Sequence, residues 1–75
     1  MNQQIEKFKA VSKHLGIEPR HISSATGISM NRVKALESGQ REPSDLELRA
    51  IAAYLVARMQ IAGIVSVEEI PELSK

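Results

Sequence analysis

The segment of residues 19–38, PRHISSATGISMNRVKALES, constrains the fold of this chain more than any other part of it. Apolar residues recur at helical spacing on both sides of Gly27, and Gly27 itself tolerates the left-handed backbone of a tight turn. The segment therefore predicts two short helices joined by that turn. We expect Ile22, Val33 and Leu36 to hold the two helices on a common core.

Helical spacing of apolar residues also runs through the sequence on either side of this segment. The predicted helices cover, in chain order, residues 3–15, 19–26, 30–38, 45–62 and a short stretch that begins at Ser66. Only the short apolar run of residues 64–67 resembles a strand. We therefore predict an all-α fold, a compact bundle of about five helices.

Local signals place the ends of these helices. Ser29 is positioned to cap the third helix, and Ser44-x-x-Glu47 is a capping box before the fourth. Gly39 is expected to end the third helix. The inner face of the fourth helix is predicted to consist of Leu48, Ile51, Ala52, Leu55, Met59 and Ala62.

Size and composition narrow the class of protein. A chain of 75 residues forms one domain, and its lack of cysteine excludes disulfides and thiolate metal sites. The longest apolar run, residues 50–57, is far shorter than the ~20 residues of a membrane span. The N-terminal residues lack the apolar stretch of a signal peptide. We expect a cytoplasmic protein that does not interact with membranes.

The charge distribution is uneven although the net charge is only +1. Nine of the ten Lys and Arg residues lie before residue 67, whereas three of the nine acidic residues lie after it. A basic body suits a nucleic-acid partner, but ordinary solvated helix faces have the same composition. Charge alone leaves both interpretations open.

The sequence contains no pattern typical of catalysis or of metal binding. His14 and His21 lie on different predicted helices, without clustered carboxylates or thiolates. No nucleophile is spaced to meet a base, and no glycine-rich loop is suited to a nucleotide phosphate. We expect no enzymatic activity, no metal site and no cofactor.

The third helix is predicted to present polar residues outward. If Val33 and Leu36 face the core, Met30, Asn31 and Lys34 remain on the opposite side. Asn can form two hydrogen bonds with adenine, Lys can donate to guanine, and an apolar side chain can contact the thymine methyl group. Because the major groove admits one α-helix, this face is typical of a DNA-binding protein.

The chain resembles the Cro and lambda-repressor type of helix-turn-helix protein, the XRE family, over about residues 16–55. The resemblance is carried by Ile22, Gly27, Ile28, Val33, Leu36, Glu37 and Gly39, followed by Pro43-Ser44, Leu48, Ile51-Ala52 and Leu55. It implies a lambda-repressor-like domain of about five helices whose third helix reads the major groove. It further implies a transcriptional repressor of prokaryotic or phage type that binds a palindromic operator as a homodimer.

The resemblance also assigns candidate contact residues. The base-reading positions of the family correspond to Ser29, Met30, Asn31, Lys34 and Ala35. Phosphate contacts are predicted for Arg20, Arg32, Ser38, Gln40 and Arg41, although the two arginines Arg32 and Arg41 are equally compatible with solvated surface charges. Glu18 and Pro19 depart from the family, which has a polar cap and a Gln here that contacts phosphate. Arg20 and the N–H groups of the first turn are the candidates to compensate.

The second half of the fourth helix has more apolar residues than one face can bury. A fifth helix that folds back would cover them, or residues 56–75 form a dimerisation extension with Tyr54, Ile61, Ile64 and Val65 at the interface. A second function also remains open, that of a protein-interaction module, an antitoxin or anti-regulator, for which DNA binding is secondary or lost. It is suggested by the low net charge, by Glu18-Pro19 and by this apolar segment.

Overall fold

The computed structural model describes residues 3–64, which fold into four α-helices without a strand in that range. The helices are α1 (Gln3–Leu15), α2 (Pro19–Thr26), α3 (Met30–Ser38) and α4 (Asp45–Ile61). The prediction of an all-α fold is confirmed, and these bounds agree with the predicted helices to within about one residue. The predicted fifth helix and Val65 lie outside the described residues.

The turn between α2 and α3 is held by side-chain and backbone hydrogen bonds. Gly27 has φ of 79°, as its predicted left-handed conformation requires, and its N–H donates to the carbonyl of Ser23 at 3.0 Å. The Ser23 hydroxyl donates to the carbonyl of Ile28 at 2.6 Å. The N–H of Ile28 in turn donates to the Thr26 hydroxyl at 3.2 Å. Residues 27–29 therefore connect the two helices in a turn that these hydrogen bonds close.

The predicted helix caps are confirmed. The Ser29 hydroxyl accepts the N–H of Arg32 at 3.2 Å at the start of α3. Before α4, the Ser44 hydroxyl accepts the N–H of Glu47 at 3.1 Å, and the Glu47 carboxylate accepts the N–H of Ser44 at 2.8 Å. Each bond satisfies a first-turn or cap donor that has no partner within the helix.

All four helices contribute to one apolar core. α1 packs against α3 and α4, and α2 packs against the same two helices. The buried apolar residues are Ile5, Val11, Ile17, Ile22, Val33, Leu36, Ile51, Leu55 and Met59. Ala62 was predicted to lie on the inner face of α4, and this prediction is wrong. The helix ends at Ile61, and Ala62 is exposed. α3 thus lies on the body with one side buried.

Candidate nucleic-acid interface

α3 is buried on one side and exposed on the other. Val33 and Leu36 are each 1% exposed, whereas Asn31 and Lys34 are exposed. Of the residues predicted to read bases, Ser29, Met30, Asn31 and Lys34 are exposed and Ala35 is half-buried. This outer face of α3 offers an amide, an ammonium group and a thioether beside a small residue. Those groups suit the donor, acceptor and methyl pattern of base edges.

Arg32 also lies in the first turn of α3, but its guanidinium group turns to α4. Its Nε donates to Glu47 Oε2 at 2.7 Å and its Nη2 donates to Glu47 Oε1 at 2.8 Å. The same Nη2 donates to the carbonyl of Glu42 at 3.1 Å. The pairing is bidentate, the strongest arrangement for these two groups. Arg32 is therefore engaged within the protein, which neither alternative of the sequence analysis anticipated.

The Arg32–Glu47 pair changes the titration of the carboxylate. The hydrogen bonds from Arg32 and, next, from the Ser44 backbone lower the pKa of Glu47 from 4.5 to about 2. The carboxylate is thus ionised in the folded chain at pH values where an ordinary glutamate is half protonated. The pair remains intact across the physiological range of pH.

We expect this pair to make stability depend on acid pH. Because the folded-state pKa of Glu47, about 2, lies below the ordinary value of 4.5, the stabilisation is complete above pH 4.5 and is lost as pH falls toward 2. Glu47→Gln should lower the unfolding free energy by about 1–2 kcal/mol at neutral pH. Thermal unfolding followed by circular dichroism between about pH 2 and 7 should show the difference from wild type shrinking in acid. If the stability difference between wild type and Glu47→Gln is the same at every pH, the Arg32–Glu47 pair does not cause the acid dependence.

The N-terminus of α2 is neutralised by neighbouring residues. Glu18, the cap residue, accepts Arg20 Nη2 at 2.8 Å and Arg20 Nε at 3.1 Å, in an exposed ion pair. The N–H of Glu18 donates to His21 Nδ1 at 2.9 Å. Pro19 has no N–H to offer. The candidate phosphate-binding Arg20 is thus held by a carboxylate, and the positive end of the helix faces a negative charge.

The last residue of α3 and the loop that follows carry the other predicted phosphate contacts. The backbone N–H groups of Gln40 and Arg41 both donate to the carbonyl of Ala35, at 3.0 and 3.3 Å. The Ser38 hydroxyl donates to the same carbonyl at 3.2 Å. All three residues are exposed. Side chains rather than backbone N–H groups are therefore what this loop can offer a phosphate, and Arg41 is the charged one.

Glu37 lies at the back of α3, where it is half-buried. Burial raises the pKa of its carboxyl group, and the positive charge of Lys9 partly offsets this effect. The residue therefore faces α1 rather than the exposed side of α3.

The residues predicted at the dimer interface differ in how far they are exposed to solvent. Tyr54 and Ile64 pack against the core of their own chain, and the Tyr54 hydroxyl accepts Arg58 Nη1 at 3.2 Å. Ile61 is 81% exposed, and Val56, the first residue of the predicted dimerisation extension, is 51% exposed. Val65 lies outside the described residues. Val56 and Ile61, together with Leu46 in the first turn, are thus the exposed large apolar residues of α4.

Neither a metal site nor a membrane span occurs in the part of the chain that the structure describes. No three His, Asp or Glu side chains within residues 3–64 are grouped to hold a metal ion. None of the four helices is both long and apolar enough to cross a bilayer. Comparisons of the chain with protein-family models, curated proteins and solved structures found no match.

Proposed function

We propose that this chain is a sequence-specific DNA-binding protein, a helix-turn-helix transcriptional repressor of the Cro and lambda-repressor type without catalytic activity. The observation that carries the proposal is the outer face of α3. Asn31 and Lys34 are exposed there, while Val33 and Leu36 fix the helix from behind. A helix held in this way can enter the major groove without rearrangement of the core.

In the proposed complex, α3 reads bases and its flanking residues contact the backbone. Asn31 pairs with adenine, Lys34 donates to guanine, and Met30 contacts a thymine methyl group. Arg41 and Gln40, in the loop after α3, contact phosphates and fix the register of the helix on the duplex. The partly buried Ala35 lets the helix approach the base edges closely.

We include a homodimer in this proposal. The exposed Val56 and Ile61 on α4 support contact with a second copy, because burial of large apolar side chains against a partner is favourable. A two-fold dimer would place its two α3 helices about 34 Å apart, one turn of the duplex. The operator is then a short palindrome.

The direct test is titration of a fluorescent random-sequence duplex with the protein at low salt, followed by the same titration at rising salt. We expect dissociation constants of about 10⁻⁴–10⁻⁶ M at physiological salt and tighter binding at low salt, since phosphate contacts release counterions. A single strand of the same length serves as the control. Absence of binding to the duplex at low salt would refute the proposed function.

We expect Glu18→Gln to strengthen DNA binding. The substitution removes a negative charge from the N-terminus of α2 and releases Arg20, which then becomes available to a phosphate. Affinity for any duplex should rise by about threefold to tenfold, and the slope of log K against log salt should steepen by about 1. Glu6→Gln, the same charge change on α1, is the matched control. If both variants raise the DNA affinity equally, the increase comes from net charge alone and not from the release of Arg20.

A second candidate function is a protein-interaction module on the same fold, an antitoxin or anti-regulator. It is favoured by the Glu18–Arg20 pair, which neutralises the helix end where a phosphate would bind. The exposed Val56 and Ile61 would then contact a different protein. This function predicts no binding to the duplex at low salt, together with a specific partner recovered on immobilised protein and lost on Ile61→Glu.

A further inference from the structure

A bidentate ion pair connects the first turn of α3 to the first turn of α4. Arg32 is the third residue of α3 and Glu47 is the third residue of α4. Four hydrogen bonds meet at these two side chains, because Glu47 also accepts the N–H of Ser44 and Arg32 also donates to the carbonyl of Glu42. The pair therefore links α3, the α3–α4 loop and α4 at one point.

The side of α3 that faces the core is attached by apolar contacts. Val33 and Leu36 hold its inner side through burial, which is strong but has no directional preference. A helix attached in this way resists removal from the core more than it resists a small rotation about its own axis. The Arg32–Glu47 pair adds a directional restraint between α3 and α4 to the hydrogen bonds of the α2–α3 turn, since a bidentate pair has a fixed planar geometry.

The residues on the outer face of α3 depend on that rotation. Asn31 precedes Arg32 in the chain and Lys34 follows it by two residues. A turn of α3 by a few tens of degrees would move both side chains by ångströms relative to any base edge. Bidentate base contacts do not tolerate such displacements.

We propose that Arg32 and Glu47 are positioning residues that determine sequence specificity by fixing the rotation of α3, and that Arg32 makes no phosphate contact. This inference rests on the proposed DNA-binding function. Arg32 acts through Asn31 and Lys34, which carry the base contacts. It replaces the prediction that Arg32 touches the DNA backbone.

The test compares Arg32→Gln, Glu47→Gln and the double variant on two duplexes. One duplex is a sequence selected by the wild-type protein from random DNA, and the other is its scrambled version. Both single variants should lower the ratio of selected to scrambled affinity by about tenfold, although they change the charge in opposite directions. The double variant should lose no more than either single variant, since the residues act as one unit. Circular dichroism at the assay temperature establishes that each variant is folded.

Other outcomes would overturn the inference in identifiable ways. If Arg32 contacts phosphate, Arg32→Gln lowers affinity for both duplexes alike, reduces the salt slope by about 1, and Glu47→Gln leaves the ratio unchanged. Arg32→Lys then retains affinity, whereas a positioning role predicts a reduced ratio because Lys cannot form the bidentate pair. A pair that only stabilises the fold would lower the melting temperature and leave the ratio unchanged. If neither the wild-type protein nor any variant prefers one duplex over the other, the proposed function fails, and this inference fails with it.

Discussion

Leu36→Ala is expected to lower the free energy of unfolding by about 2–5 kcal/mol. Leu36 is 1% exposed in the core beneath α3, and its truncation leaves a cavity that the surrounding helices can fill only in part. A domain of this size has a total stability of roughly 5–15 kcal/mol at most, so the loss is a large share of it. Urea unfolding followed by circular dichroism measures the change.

Leu46→Ala provides the matched control for this experiment. The substitution is identical, but Leu46 is 77% exposed on the first turn of α4. We expect its effect to lie within about 0.5 kcal/mol of zero. If the two variants unfold at similar urea concentrations, α3 is not anchored on the core as the structure describes.

Lys34→Ala is expected to weaken binding to the selected duplex by about 1–3 kcal/mol and to relax the preference at one base position. The reason is that Lys34 is exposed on the outer face of α3, opposite the buried Val33 and Leu36. Fluorescence titrations of duplexes that carry each of the four bases at every position of one half-site would locate the relaxed position.

Arg41→Ala is the comparison that gives the Lys34 result its meaning. Arg41 is exposed in the loop after α3, and a phosphate contact there carries no sequence information. Its removal should weaken all duplexes to a similar degree and reduce the salt slope by about 1. If Lys34→Ala behaves in this same way, Lys34 contacts the backbone and the proposed orientation of α3 is wrong.

The helices of this chain could be predicted because their signals are local. Gly27 and Gly39 end helices with φ of 79° and 82°, and Ser44 with Glu47 caps α4, each within four residues of the backbone groups concerned. The buried positions of α3 followed from helical spacing alone. Ile17 was missed as a core residue, because it lies in the link between α1 and α2, where no periodicity applies.

The contacts around the candidate interface could not be predicted in the same way. Arg32 and Glu47 are fifteen residues apart, and neither residue type shows in the sequence which partner it will meet. Tyr54 gave no sign that it packs on its own core, because α4 is apolar on most sides. Such contacts depend on the packing of helices, which short-range patterns do not encode.

Selection of bound sequences from a pool of random duplex DNA shows whether the outer face of α3 reads base pairs. We expect enrichment of a short palindrome whose half-sites lie about one turn, or 34 Å, apart, with the preference at one position of each half-site relaxed in Lys34→Ala. A selected pool that remains as random as the starting one, at salt concentrations where the protein is folded, would contradict it.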